Sequence, residues 1–327
     1  MNINHDKGQK ILENSYIKPD EIINCPVCFC ESSVLVVVRF DTGHIVRCLE
    51  CGHIYLNPTL SDKALKCYYD QYYQIGDVGS LMERVDRWVM DQDGIYQYVI
   101  SMIKRDSGFT GMRILDVGCG CGRFLHECRK LGASVAGIDK SPQAGYLAKK
   151  YFGLDIITKT LEESAPELIL SKIQFDVISA FEILEHVKEP GKFLENLYKL
   201  LKPGGLLFLT TPNFYLFYLM GISAPAVREF PVHISFFEPA TLERLLTRKG
   251  FEVMNVVTLK PMGPGDRVRQ KFAKYFVNKK IWRNRFFRRI YLIKNNVFNI
   301  LNMYKDNADI KNWSGEALIG VARKIER

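Results

Sequence analysis

Two glutamates and a histidine in the run Phe181-Glu-Ile-Leu-Glu-His-Val187 form the strongest proton-handling group in this chain of 327 residues. His186 titrates near neutrality, so it can take a proton from a reacting group. Glu182 lies four residues before it, and one helical turn would put both on one face. A second group is the run Ile114-Leu-Asp-Val-Gly-Cys-Gly-Cys-Gly122. Gly118, Gly120 and Gly122 at a strand-to-helix turn let a ligand reach the backbone where a Cβ would clash. Asp139 ends the next apolar stretch, and its carboxylate can accept two hydrogen bonds from ribose hydroxyls. A nucleoside cofactor is therefore expected across the first two strands. The dinucleotide fingerprint needs Gly-x-Gly-x-x-Gly. Here the spacing is Gly-x-Gly-x-Gly, and Asp116 just before it suits a cationic ligand end better than a pyrophosphate. The third group is Cys25-Pro-Val-Cys28 and Cys48-Leu-Glu-Cys51, separated by nineteen residues. Two such knuckles can close a tetrahedral Cys₄ zinc site. A Cys-x-x-Cys redox pair and an iron–sulfur site are the competing readings, and Cys30, His44 and His53 are substitute ligands or bystanders.

The elements that must hold these groups follow from the periodicity. Ile114–Val117, Ser134–Asp139, Leu154–Ile157, Phe175–Ala180, Leu206–Thr210, Phe251–Leu259 and Leu318–Ala322 read as strands. Phe124–Leu131, Phe193–Leu201 and Thr241–Lys249 read as helices, the second with Phe193, Leu194, Leu197, Leu200 and Leu201 on one face. Lys202-Pro-Gly-Gly205 is expected to end that helix and Gly250 the next. Strands alternating with helices predict an α/β, doubly wound sheet. Val34–Phe40 and His44–Val46 predict a hairpin turning at Asp41-Thr-Gly43. The sequence therefore divides into residues 1–75, a zinc-ribbon-like domain, and 76–327, the α/β domain, with N-terminal helices over 85–110.

The glycine run, the acid at 139 and the order of elements resemble class I S-adenosylmethionine (SAM) methyltransferases over about residues 85–325. The resemblance implies a Rossmann-like sheet of seven strands, the last antiparallel and inserted beside the sixth. It implies SAM as cofactor, with Gly118, Gly120 and Gly122 cradling its methionine end, Asp116 facing its ammonium and Asp139 holding the ribose. Leu161 and Glu162 fall near the adenine. His186 would be the base, assisted by Glu182. The Glu-x-x-Glu-His run also resembles that of ubiquinone-pathway O-methyltransferases and of enzymes that 2′-O-methylate small-RNA 3′ ends. In some of these a divalent metal such as Mg is bound, which here implicates Glu182, Glu185 and His186, with His233 in the later position. Other class I members use the same run without metal. Residues 212–237, rich in aromatics, fall where the family carries a substrate lid, and Cys51-Gly-His-Ile-Tyr-Leu-Asn-Pro58 followed by Tyr68-Tyr-Asp-Gln-Tyr-Tyr73 resembles ribbon-bearing bacterial methyltransferases, several of which act on sugars.

Composition narrows the class. The chain is 47% hydrophobic with a net charge of +9. It begins with no apolar signal region and contains no apolar run of about 18 residues, which predicts a cytoplasmic protein. Nine cysteines, an odd number that includes two Cys-x-x-Cys pairs, point to reduced thiols and metal. Residues 261–315 carry thirteen Lys/Arg against three Asp/Glu, enough to account for the whole surplus. Within them, 267–305 read as amphipathic helices suited to an anionic membrane surface or lipid-linked substrate, to nucleic acid, or to packing on the domain. The expected activity is O-methylation of a sugar, lipid-linked or phenolic intermediate. The alternatives are C-methylation of a ketosugar, metal-dependent RNA 2′-O-methylation, and a non-catalytic SAM-binding scaffold.

Overall fold

A computed structural model describes residues 19–39, 43–65, 67–68, 95–106, 108–221, 224–228, 231–261 and 315–325. The basic segment expected over 261–315 lies almost wholly outside these residues, as does the part of the N-terminal helices before 95.

The strand-forming runs pair into a six-stranded sheet in the order β5-β4-β6-β7-β10-β9. Its strands are β4 (Arg113–Val117), β5 (Ser134–Ile138), β6 (Phe175–Phe181), β7 (Leu201–Pro212), β9 (Phe251–Pro261) and β10 (Gly315–Lys324). The pairs β4·β5, β4·β6 and β6·β7 are parallel, while β10 lies antiparallel between β7 and β9. The expected strand at Leu154–Ile157 contributes one parallel bridge, Ile157 to Ile138, at the seventh position. The helix Pro190–Leu200 ends just before Lys202–Gly205, as expected, and those residues are themselves part of β7. Phe175 pairs with Leu201 and Val177 with Leu206, so the intervening residues bulge out of the ladder. Pro203 has no N–H to donate, and Gly204 adopts φ 73, which suits a bulge rather than a break.

Both faces are covered because alternate strand residues point to opposite sides. Leu115, Ile178, Leu207, Leu209 and Leu318 meet the helices Leu161–Leu170, Pro190–Leu200 and Pro239–Arg248. Ile114, Val177, Phe208 and Ile319 meet a helix over 95–106 and the helices Arg123–Lys130 and Pro142–Phe152. The last of these is locally encoded. Ser141 Oγ accepts from the Ala144 N–H at 3.2 Å, Pro142 opens the helix, and Gly153 closes it at φ 59.

A second sheet, in the order β1-β2-β3-β8, holds the ribbon. It comprises β1 (Ser33–Arg39), β2 (Gly43–Cys48), β3 (Ile54–Asn57) and β8 (Ser235–Phe236). The first three come from the N-terminal part, and β8 comes from the α/β domain. Tyr55 pairs with Ser235 and Ile54 with Phe236. Between the two parts, Val36, Val37, Ile45, Ile54 and Leu56 pack on Phe214, Leu216, Ala226, Val227, Ile234 and Phe236. The aromatic stretch 212–237 is thus largely a buried joint with the ribbon rather than the expected lid. Phe214, Phe236 and Phe237 are at most 1% exposed.

Gly137 on β5 is crowded: a Cβ there would fall 2.7 Å from Cys119 Sγ and 2.8 Å from both Ile156 and Leu125. Gly137→Ala is expected to lower stability by about 1–3 kcal/mol in urea unfolding of the intact chain, with no change in m-value.

Candidate active site

The parallel strands β4, β5, β6 and β7 end on one edge of the sheet, where α/β proteins bind ligands. A cleft of about 670 Å³ opens there, within the usual range for small-molecule sites. One end is lined by Val117, Gly118, Ile138, Asp139, Thr160, Leu161 and Glu162, and the other by Glu182, Ile183, Glu185, His186, Val232 and His233.

The first end is built by the glycine loop. Gly118, Gly120 and Gly122 take φ of 73, 52 and 81, a left-handed region that side chains disfavour. A Cβ on Gly118 would come within 2.2 Å of Ile183 Cδ1. Asp139 Oδ2 accepts from the Gly120 N–H and Oδ1 from the Ser141 N–H, both at 2.9 Å. These bonds fix the carboxylate at the tip of β5 and leave each oxygen further acceptor capacity for a diol. Burial still raises its pKa, against the pull of the two backbone donors. Thr160 caps the helix Leu161–Leu170 in a reciprocal box with Glu163, which places Leu161 and Glu162 against the cleft. Asp116 is placed elsewhere. It is 2% exposed, outside the cleft lining, and accepts from Ser179 Oγ at 2.7 Å. It lies on β4 just before the glycine loop, tied by that bond to the neighbouring strand β6.

At the other end β6 runs into a short 3₁₀ turn, Leu184–His186. Glu182 precedes it in a left-handed conformation, φ 53. Its N–H donates to both the Thr210 carbonyl (3.1 Å) and Thr210 Oγ1 (3.0 Å), an anchor that offsets the backbone strain. His186 Nδ1 bonds the Val232 carbonyl at 3.0 Å and His233 Nδ1 the Ala226 carbonyl at 2.9 Å. A carbonyl only accepts, so both Nδ1 atoms carry a proton, and in the neutral rings both Nε2 atoms then keep a lone pair. The two rings meet edge to face at 4.8 Å. Glu185 is 2% exposed, its Oε1 lies 3.9 Å from His186 Nε2, and its Oε2 has no hydrogen-bond partner among the described residues. Burial, and next the charge of Glu182, push its pKa up to about 8. One ligand atom each from Glu185, His186 and His233 lies within 4.8 Å of the others.

Some cleft residues were not singled out from sequence, whereas Tyr68 belongs to the tyrosine cluster noted there. Asp62, Leu65 and Tyr68 come from the segment after the ribbon, and Lys188 bridges to Glu21 and Asp62 at 2.8 Å each. Asp62 and Leu65 carried no signal there. The cysteines form a separate cluster in the ribbon. Cys25, Cys28, Cys48 and Cys51 offer Sγ atoms all within 4.8 Å of one another, with 3.5 Å between Cys25 and Cys51 and between Cys28 and Cys48. Cys30, His44 and His53 are not part of it.

The chain is similar to known proteins in sequence and in fold. Residues 95–256 match a methyltransferase domain family. A ubiquinone biosynthesis O-methyltransferase from Nitrosococcus oceani is 33% identical over 202 residues, covering 56% of this chain and 84% of that protein. One from Pseudomonas aeruginosa is 30% identical over 175 residues, covering 49% and 73%, and the human mitochondrial one is 32% identical over 212 residues, covering 56% and 57%. A SAM-dependent methyltransferase structure from Archaeoglobus fulgidus is 16% identical, covers 72% of this chain and 99% of its own, and superposes with a TM-score of 0.45. The chain belongs to the class I SAM-dependent methyltransferases, with SAM as its methyl donor. Within that class, the curated relatives named here are O-methyltransferases of ubiquinone biosynthesis.

Asp116 provides a pH test of the loop's support. Its pKa is raised from 3.8 to about 7, first by burial and then by the charge of Asp139. A raised carboxyl pKa contributes stability that is complete below pH 3.8 and lost as pH climbs through about 7. Asp116→Asn keeps an acceptor for Ser179 and has no proton to lose. The variant should therefore hold its melting temperature between about pH 4 and pH 8 better than the parent. At about 1.4 kcal/mol per unit of pKa, the gap at pH 8 should reach a few kcal/mol. Thermal unfolding across that range checks it.

Proposed function

We propose that the protein methylates a hydroxyl of a small biosynthetic intermediate, one bearing vicinal hydroxyls of the phenolic or sugar kind. The observation that carries this reading is the Glu185, His186 and His233 cluster facing the far end of the cofactor cleft. SAM supplies a methyl group already activated by its sulfonium, so the protein has to orient the acceptor, exclude water and manage one proton. Gly118 and Asp139 would hold the methionine and ribose portions, and Leu161 with Glu162 the adenine side.

The cluster fits a divalent cation. Its two histidines already donate their Nδ1 protons to backbone carbonyls, the arrangement that fixes metal-binding tautomers. The buried Glu185 Oε2 lacks a partner that a cation would provide. Glu185, His186 and His233 would hold the ion, with Glu182 beside them. Bound there, an ion would lower the pKa of a coordinated hydroxyl and favour two-point contact with a diol. Glu182, half-buried at the cleft wall, would then be placed to receive the proton. A metal-free reading is supported by the same tautomer: His186 Nε2 is the base, and Glu185 at 3.9 Å stabilises its cationic form. The similarity to ubiquinone-pathway O-methyltransferases supports an aromatic hydroxyl acceptor in either case.

The ribbon's four thiols fit zinc. Tetrahedral Zn–S bonds of about 2.3 Å require sulfur separations of roughly 3.8 Å, close to the 3.5 Å seen for two of the pairs. We assign Cys25, Cys28, Cys48 and Cys51 as its ligands, in a structural role.

Transfer of labelled methyl from SAM to catechol-type acceptors should fall at least 100-fold in His186→Ala, with SAM affinity by calorimetry within about twofold of the parent. Loss of transfer on EDTA treatment, restored by Mg or Mn, selects the cation reading. Full transfer in EDTA selects His186 as base. Near-normal transfer by His186→Ala sinks both. Elemental analysis should find one zinc per chain, and Cys48→Ser should purify without it.

A further inference from the structure

The acceptor cluster and the ribbon share one piece of backbone, residues 232–238. On one side this segment supports the cluster. The Val232 carbonyl fixes the His186 tautomer, His233 supplies the second imidazole, and the Ile234 N–H donates to the Glu185 carbonyl at 2.9 Å. On the other side it belongs to the ribbon. The Ile234 carbonyl accepts from the Leu56 N–H at 2.9 Å, and Ser235 and Phe236 pair with Tyr55 and Ile54. A strand of two residues has too little pairing of its own to fix its register.

The α/β domain holds it through the Phe214 N–H, which donates to the Phe237 carbonyl at 2.9 Å, and the ribbon holds it through a buried charge pair. Arg47 on β2 makes a two-point contact with Glu238, Nη2 to Oε1 at 2.7 Å and Nη1 to Oε2 at 3.3 Å. Arg47 also donates to Tyr218 Oη (2.6 Å) and to the Gly52 carbonyl (3.1 Å), and Tyr218 Oη donates to Glu238 Oε1 at 2.7 Å. Arg47 is 5% exposed and Glu238 fully buried. Bidentate pairing fixes orientation as well as distance, and removal of one partner leaves the other charge buried and uncompensated. Arg244 adds a bond from the same helix to the Cys51 carbonyl of the knuckle. The cofactor end of the cleft is held differently, since Asp139 takes its partners from Gly120 and Ser141.

We infer that the ribbon is a built-in positioning element for the acceptor half of the active site, and that Arg47 is its positioning residue. Through Glu238 and β8 it sets residues 232–234 against Glu185 and His186. The inference rests on the reading of Glu185, His186 and His233 as the acceptor cluster. It assigns the N-terminal part a task in the reaction without contact with substrate.

The test uses the full chain labelled with ¹³C-histidine, whose six histidines report by their Cε1–H resonances. Arg47→Met should move the His186 and His233 resonances and leave that of His126, which packs on Phe152 beside the cofactor loop. Calorimetric affinity for S-adenosylhomocysteine should stay within about twofold, while methyl transfer falls about tenfold or more. Arg47→Lys, which keeps one charged contact, should recover part of both effects. If Arg47→Met is insoluble, Glu238→Gln asks the same question with the shape retained. Unmoved His186 and His233 resonances would overturn the inference. So would a His126 shift and weakened cofactor binding of the same degree, because the ribbon would then support the whole fold without preference. Normal methyl transfer by His186→Ala would refute the acceptor assignment instead, and the resonances would still report whether the coupling exists.

Discussion

Parallel pairing of β4, β5, β6 and β7 is the constraint on which the rest depends. Strands that run the same way must be joined by crossovers, and crossovers bring every carboxyl end to one edge. The glycine loop after β4, Asp139 after β5 and the Glu182–His186 turn after β6 therefore converge although they are far apart in sequence. The antiparallel β10 closes the other half of the sheet, its first residues lying beside the last residues of β7 and β9, with Ala317 opposite Pro212 and Gly315 opposite Pro261. The cleft is a product of topology first, and its chemistry is then written in loop residues that the sheet holds still.

The second organising feature is charge burial. Glu185, Asp116 and Glu238 are all at most 2% exposed, and each is handled differently. Glu238 is met by Arg47. Asp116 is raised to about 7 and bonded to Ser179. Glu185 faces two imidazoles across a few ångströms, with one oxygen unsatisfied by hydrogen bonding. The first of these solutions belongs to structure and the last to chemistry, a division that follows from which carboxylate opens on the cleft.

Local signals in the sequence were legible where the cause was local. The glycines need their φ values wherever the chain folds, the cysteine spacing brings sulfurs together by turn geometry, and the helix caps lie within a few residues of what they cap. A misreading arose where the partner was distant. The aromatic run after β7 looked like a lid because its packing partners, Ile45, Ile54 and Leu56, lie far upstream. Arg47 left one faint trace. It stands two residues after Ile45 on a strand, where alternation asks for an apolar side chain.

The ribbon's fourth strand has a consequence for the order of events on the ribosome. Arg47 and Glu238 are 191 positions apart, a separation that makes this contact among the costliest in loop entropy. At about 5–20 residues per second of synthesis, roughly 10–40 seconds pass between the emergence of the knuckle and that of β8. During that interval the thiols can capture an ion, yet the apolar face of β1, β2 and β3 has nothing to rest on. A nascent chain in this state presents Val36, Ile45, Ile54 and Leu56 as an uncovered apolar patch. The ribbon, though first out, is therefore among the last parts to be completed.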